Sequence, residues 1–136
     1  HISTDYVFDG LQKSGYLPED TANPLNMYGM AKYLGEQYIR QTLDDTDISY
    51  SIIRTSWLYG SGPSYKNFVN TIIQASSTKN ELQVVNDQYG APTYVQTLVD
   101  CVMDCIASDQ YRGTIHCTDV VPSPGITWYD FAQAIV

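Results

Sequence analysis

With 136 residues, 43% hydrophobic and 16% charged, the chain has enough material for one compact domain with its own core and too little for two ordinary ones. Its 15 acidic residues against 7 basic ones give a formal charge of -8, which argues against nucleic acid and anionic membranes as partners, because both kinds of binding lean on basic patches. No apolar run approaches the ~20 residues a membrane-spanning helix needs, and the first residues lack the basic-then-apolar order of a signal peptide.

Residues 1–8 read as a strand running into the turn Asp9-Gly10. There is no initiator Met, apolar Ile2, Val7 and Phe8 come at once, and the chain stops at Ala134-Ile135-Val136 inside an apolar pattern, so a piece of a longer protein is expected. Residues 11–23 form a polar loop. Asn23-Pro24 predicts a helix start, since Asn caps free N–H groups and Pro suits the first helical position. Tyr28, Ala31, Leu34, Gly35, Tyr38 and Ile39 then recur at helical period to about Leu43.

Ile48 to Trp57 is rich in β-branched and aromatic residues and predicts a strand, followed by a loop at Gly60-Ser61-Gly62-Pro63-Ser64. Asn67 to Ser76 carries a helical stripe of Phe68, Ile72, Ile73 and Ala75. Leu82 to Val85 predicts a short strand, and residues 86–93 a structured loop. Val95, Leu98, Val99, Val102, Met103 and Ile106 mark the clearest amphipathic helix. Gly113 to Cys117 predicts a strand, and Thr127-Trp128-Tyr129-Asp130 fits a capping box that opens a last helix. Strands alternating with helices imply an α/β fold with a mainly parallel sheet, and residues 1–136 show no internal boundary.

Cys101, Cys105 and Cys117 include no CxxC, and Cys101 and Cys105 fall at i, i+4 on a predicted helix. Such thiols pack as small hydrophobes and suit a reducing cytoplasm. No metal site is expected: the only histidines are His1 and His116, and they have no ligand pattern around them.

The informative constellation is Tyr28-Gly29-Met30-Ala31-Lys32. On a helix these i, i+4 positions share one face, so the phenol and the ammonium project together near the helix start. A nearby ammonium favours a phenolate, which suits a phenol to exchanging a proton with an alcohol or ketone. Alone, Y-x-x-x-K is a weak signal. Upstream, however, Ser3-Thr4-Asp5-Tyr6 lies at the end of a predicted parallel strand, where open α/β sheets place their ligands.

STDYVFDG, MYGMAKYLGE, IIRTSWLYG, NFV, VVNDQYGAPT and TWYDFAQAI follow one another in this order. Together they resemble the extended short-chain dehydrogenase/reductase family, in particular its 4-keto sugar-nucleotide reductases. The resemblance implies the C-terminal part of an NAD(P)-binding Rossmann-like, doubly wound parallel sheet with a smaller sugar-nucleotide-binding region. It implies reduction of the C4 ketone of dTDP-4-dehydro-L-rhamnose to dTDP-L-rhamnose with NADPH or NADH, in a soluble cytoplasmic enzyme that leaves room for a homodimer.

The same resemblance implies a catalytic set of Thr4, Tyr28 and Lys32, with Tyr28 as general acid and Lys32 also holding the nicotinamide ribose. Arg54, Thr55 and Ser56 would border the nicotinamide, while Asp5, Tyr6, Trp57, Asn67, Phe68, Gln88, Pro92 and Thr93 would face the substrate. Plainer roles stand beside these. Arg54 could simply pair with an acid, Trp57 and Phe68 could be core, Pro92-Thr93 could be a turn and helix cap, and Asp5 could form its own turn. The family's G-x-x-G-x-x-G phosphate cradle does not occur in this sequence, so the isolated chain is expected neither to bind NAD(P)H tightly nor to turn over. An epimerase or dehydratase, or a non-catalytic regulatory relative, are the alternatives; Tyr6 stands where the dehydratases carry their Glu base.

Overall fold

The structure is a computed structural model and describes residues 1–60, 62, 66–108 and 111–136. Its centre is a parallel sheet of β1 (Ile2–Thr4), β2 (Ser51–Thr55) and β6 (Gly113–His116), in the order β1-β2-β6. Between them run β3 (Leu58–Tyr59), β4 (Tyr89–Gly90) and β5 (Thr93–Tyr94), and β7 (Ile126–Thr127) follows. β3 pairs parallel with β5, and β4 pairs antiparallel with β7. The helices are α1 (Met27–Leu43), α2 (Phe68–Ser76), α3 (Val95–Ala107) and α4 (Trp128–Ile135). Among the described residues no helix is long and apolar enough to cross a membrane.

Side chains alternate across the central sheet, and each face has its own partner. Ile53 and Cys117 pack with Leu98 of α3, joined by Cys101, Val102, Cys105 and Ile115. The thiols are unpaired there, and burial, with Cys117 alongside, pushes Cys101 up to about 12, which makes it an inert packing group. In register on the other face stand Ser3, Arg54 and His116, one from each strand. α1 lies over that row.

Several elements differ from the sequence expectation. The predicted strand 1–8 stops at Thr4: residues Asp5–Val7 form a 3₁₀ turn, and Thr4 Oγ1 accepts the Tyr6 N–H at 3.3 Å. The helix begins at Met27 rather than at Pro24. Asn23 is engaged elsewhere, its backbone N–H donating to Val7 O and its amide to Asp9 Oδ2, so Asn26 supplies the cap by accepting the Gly29 N–H at 2.8 Å. The strand expected over 48–57 is confined to Ser51–Thr55, because Trp57 turns the backbone into the left-handed region at φ 45°.

Leu82–Val85 joins no sheet. It keeps the alternation of half-buried Leu82 and Val84 with exposed Gln83 and Val85, but the Val85 carbonyl takes the Tyr129 N–H instead of a ladder bond. The expected loop 60–64 falls at Ser61, Pro63 and Ser64 outside the described residues. The capping box forms as read: Thr127 accepts from the Asp130 N–H, and Asp130 accepts from the Thr127 N–H.

Candidate active site

The site is built where β1 ends. The 3₁₀ turn that follows Thr4 packs against the first turn of α1, and the contact is backbone to backbone. A Cβ on Gly29 would overlap the Tyr6 carbonyl oxygen, so only glycine lets the helix start come this close. That approach sets Tyr28, 56% exposed, beside Tyr6, with ring centroids 5.9 Å apart in edge-to-face contact. Thr4, just before this turn, is buried, and its hydroxyl donates to Asp5 Oδ1 at 3.0 Å. Burial pushes the Asp5 carboxyl up, outweighing the bond from Thr4. Lys32, one turn further along α1, donates from Nζ to the Ile2 carbonyl at 3.1 Å. Thr4, Asp5, Tyr6, Tyr28 and Lys32 thus gather around one junction of β1 with α1.

The neighbouring strand contributes differently. In register beside Thr4 stands Thr55, whose buried Oγ1 has no hydrogen-bond partner among the described residues. An orphaned hydroxyl at the carboxyl end of a parallel strand fits a polar ligand group there. Ser56 is buried and donates to Ala91 O at 2.6 Å, tying the strand exit to the 91–93 segment. Arg54 faces away, under α1. It is 3% exposed and forks onto Glu36, Nε to Oε1 at 2.9 Å and Nη2 to Oε2 at 2.7 Å. The expectation that the Arg54 side chain borders a cofactor is corrected to the plainer alternative, pairing with an acid.

The remaining expected substrate positions scatter. Trp57 stacks on Trp128 with centroids 3.5 Å apart and planes 9° apart, and Phe68 leans on Trp128 and Phe131. Both are half-buried members of an aromatic cluster with Tyr59, Trp128 and Phe131, which accounts for their ring contacts. Asn67 caps α2, accepting the Asn70 N–H and donating to Gly60 O at 3.0 Å. Thr93 is 0% exposed, with its hydroxyl on Ala91 O at 3.2 Å, and Pro92 beside it is buried, so both side chains are packed inside the chain instead of facing a substrate. Gln88 is exposed.

Sequence reasoning missed Glu36, a fully buried acid one turn after Lys32. Its signal was present in the i, i+4 spacing from Lys32 and in the unassigned charge of Arg54, but the partner of Arg54 could not be read without the fold.

The chain is similar to known proteins over its whole length. It is 44% identical to the spore coat polysaccharide biosynthesis protein SpsK of Bacillus subtilis (strain 168), over 100% of this chain and 44% of that protein. It is 38% identical to the dTDP-4-dehydrorhamnose reductase of Escherichia coli (strain K12), over 99% of this chain and 44% of that protein. The crystal structure of dTDP-4-dehydrorhamnose reductase from Bacillus anthracis str. Ames in complex with NADP superposes with a TM-score of 0.87 at 40% identity, over 99% of this chain and 44% of that one. The chain therefore spans a little under half the length of these relatives. The profile of the RmlD substrate binding domain matches residues 1–136, and the chain belongs to that family, within the extended short-chain dehydrogenases/reductases its motifs resemble.

Proposed function

We propose that the chain forms the catalytic and substrate-side part of an NAD(P)H-dependent sugar-nucleotide reductase that converts the C4 ketone of dTDP-4-dehydro-L-rhamnose to the alcohol of dTDP-L-rhamnose. The observation that carries this is the junction of β1 with α1, where the Gly29 contact sets exposed Tyr28 beside Tyr6 of the turn that follows Thr4, with Lys32 on the same helix. When bound, the nicotinamide supplies hydride to the ketone carbon.

The chain's residues do the rest. Tyr28 donates its hydroxyl proton to the ketone oxygen, and its oxygen is left anionic near the positive end of α1, with the Lys32 ammonium one turn on. Thr4 hydrogen-bonds the same sugar oxygen after releasing Asp5. Asp5 and Tyr6 place the ring. Thr55, through its unpartnered hydroxyl, and the backbone of residues 54–56 hold the nicotinamide side, together with Lys32 on the ribose. Because Trp57, Phe68, Asn67, Pro92 and Thr93 are committed to packing and capping, any contribution they make to the substrate runs through the walls they build. A cytoplasmic location and self-association as a homodimer complete this reading; cell fractionation and sedimentation of the full-length form test those two points.

The decisive assay supplies the full-length form with the 4-keto sugar nucleotide and NADPH and follows loss of nicotinamide absorbance. Tyr28→Phe is expected to be ~10²–10⁴-fold slower, the range a general acid contributes. Parental speed in that variant sinks the mechanism.

A further inference from the structure

Glu36 lies fully buried on α1, between the two elements that make the site. Three donors converge on its carboxylate: Arg54 Nε and Nη2 at 2.9 and 2.7 Å, and Ser3 Oγ at 2.5 Å. Arg40 adds a longer approach of 3.6 Å from the helix's own next turn. The two close partners, Ser3 and Arg54, are chain neighbours of candidate site residues. Ser3 precedes Thr4, Arg54 precedes Thr55, and Glu36 follows Lys32 by one helical turn and Tyr28 by roughly two. Arg54 also reaches the loop beyond the site, donating from Nη1 to Pro18 O at 3.1 Å and covering the Phe8 ring at 4.9 Å.

We infer that the buried Glu36–Arg54–Ser3 cluster is the positioning device of this site: it fixes α1, with Tyr28 and Lys32, against the strand ends that carry Thr4 and Thr55. The inference rests on the proposed reductase reading. Its physical basis is direction. Hydrophobic attraction is non-directional, whereas a forked carboxylate–guanidinium pair has one favourable orientation. Stability alone does not account for such a pair, since well-packed apolar side chains of similar volume stabilise a fold as well or better. Orientation at the reacting atoms is different, because misplacement by about 1 Å can cost ~10²-fold in rate.

The test uses the full-length form and separates holding the fold from aiming the site. The double variant Glu36→Leu with Arg54→Met removes both charges and keeps the volume. It is expected to fold with an unfolding midpoint modestly below the parent's, because the buried Ser3 hydroxyl loses its acceptor, yet to lose about 10–10²-fold in kcat while KM for the sugar nucleotide moves little. Arg54→Lys retains the charge without the fork and is expected to stay slow. Ser3→Ala, which leaves no charge unpaired, is expected to lose several-fold in kcat with the fold unchanged.

Parental kcat in the folded double variant overturns the inference. If the double variant does not fold, parental kcat in both Arg54→Lys and Ser3→Ala overturns it equally. Tyr28→Phe runs alongside: parental speed there overturns the reading of the site and this inference with it, while a slow Tyr28→Phe beside a fast double variant overturns the positioning role alone.

Discussion

The two sides of the molecule are held by opposite means. Around β1, β2 and α1, contacts are directional: a buried ion pair with a serine hydroxyl on it, a helix start pressed backbone to backbone on a turn, and a lysine on a carbonyl. Around β3, α2 and α4, rings do the work. Trp57 and Trp128 stack flat, Phe68 and Phe131 lie at 5.5 Å, and Tyr59 meets Phe131 at 5.4 Å. Directional contacts set angles and fail abruptly when one partner goes. Stacked rings give area and fail gradually.

The largest effect that would break the comparison is expected from Arg54→Met alone. It strands the Glu36 carboxylate, fully buried, with Ser3 and the distant Arg40 as its remaining partners. Leaving a buried charge without its partner costs about 3–5 kcal/mol, and replacing both members with apolar residues should recover most of that. Denaturant midpoints of the single and double variants check this. Equal destabilisation by both would show that the stranded Glu36 carboxylate costs nothing beyond the lost Arg54 contacts, and that charge pairing does not hold that side.

Second comes Trp128→Ala. The ring is half-buried between Trp57 and Phe68. Full truncation of a core Trp costs about 3–5 kcal/mol, so a half-buried one is expected to cost about 2–3, and Trp128→Phe, which preserves a stacking face, about 1. A graded series of midpoints supports ring packing as the principle there. A loss for Trp128→Phe as large as for Trp128→Ala would point to the indole N–H instead.

The same contrast explains what was legible in the sequence. Local chemistry was readable: the capping box of Thr127 and Asp130, the helix α3 and the end of α1 near Leu43 all follow from residues within a few positions of one another, although the face of α3 against the core is Leu98, Cys101, Val102 and Cys105, and Val95, Val99, Met103 and Ile106 of the expected stripe are exposed. The Tyr28–Lys32 spacing was readable for the same reason, and the parallel sheet from the alternation of strands and helices along the chain. What escaped depends on partners far along the chain. Asn23 looked like the helix cap until Asp9 and Val7 claimed it. Leu82–Val85 has the alternation of a strand but no neighbour to pair with, while Tyr89–Gly90 and Thr93–Tyr94, expected as loop, find short partners at Ile126–Thr127 and Leu58–Tyr59. Arg54 stood open between cofactor and acid because Glu36 is 18 residues away and meets it only in the fold.

The smallest effect concerns the loop after the site, which borrows from both sides. Phe8 and Tyr16 stack at 4.2 Å, and the Tyr16 hydroxyl donates to Asp9 Oδ1 at 2.5 Å. Asp9 also accepts from the Leu11 N–H and the Asn23 amide, each at 3.0 Å. These donors, Tyr16 first, hold its carboxyl down from 3.8 to about 2. Because the folded value is depressed, the ordering that Asp9 lends the loop is complete above pH ~4 and is lost as the pH falls through about 2. Carbon-13 NMR of the Asp9 carboxyl should therefore show a midpoint near 2, and Tyr16→Phe, by removing the leading donor, should move it back toward 3.8. A parental midpoint already at the ordinary value would mean that the loop is held chiefly by contacts other than Asp9, the Phe8–Tyr16 stack and Arg54 first among them. The loop would then belong with the aromatic side of the molecule in its manner of attachment, although it borders the directional one.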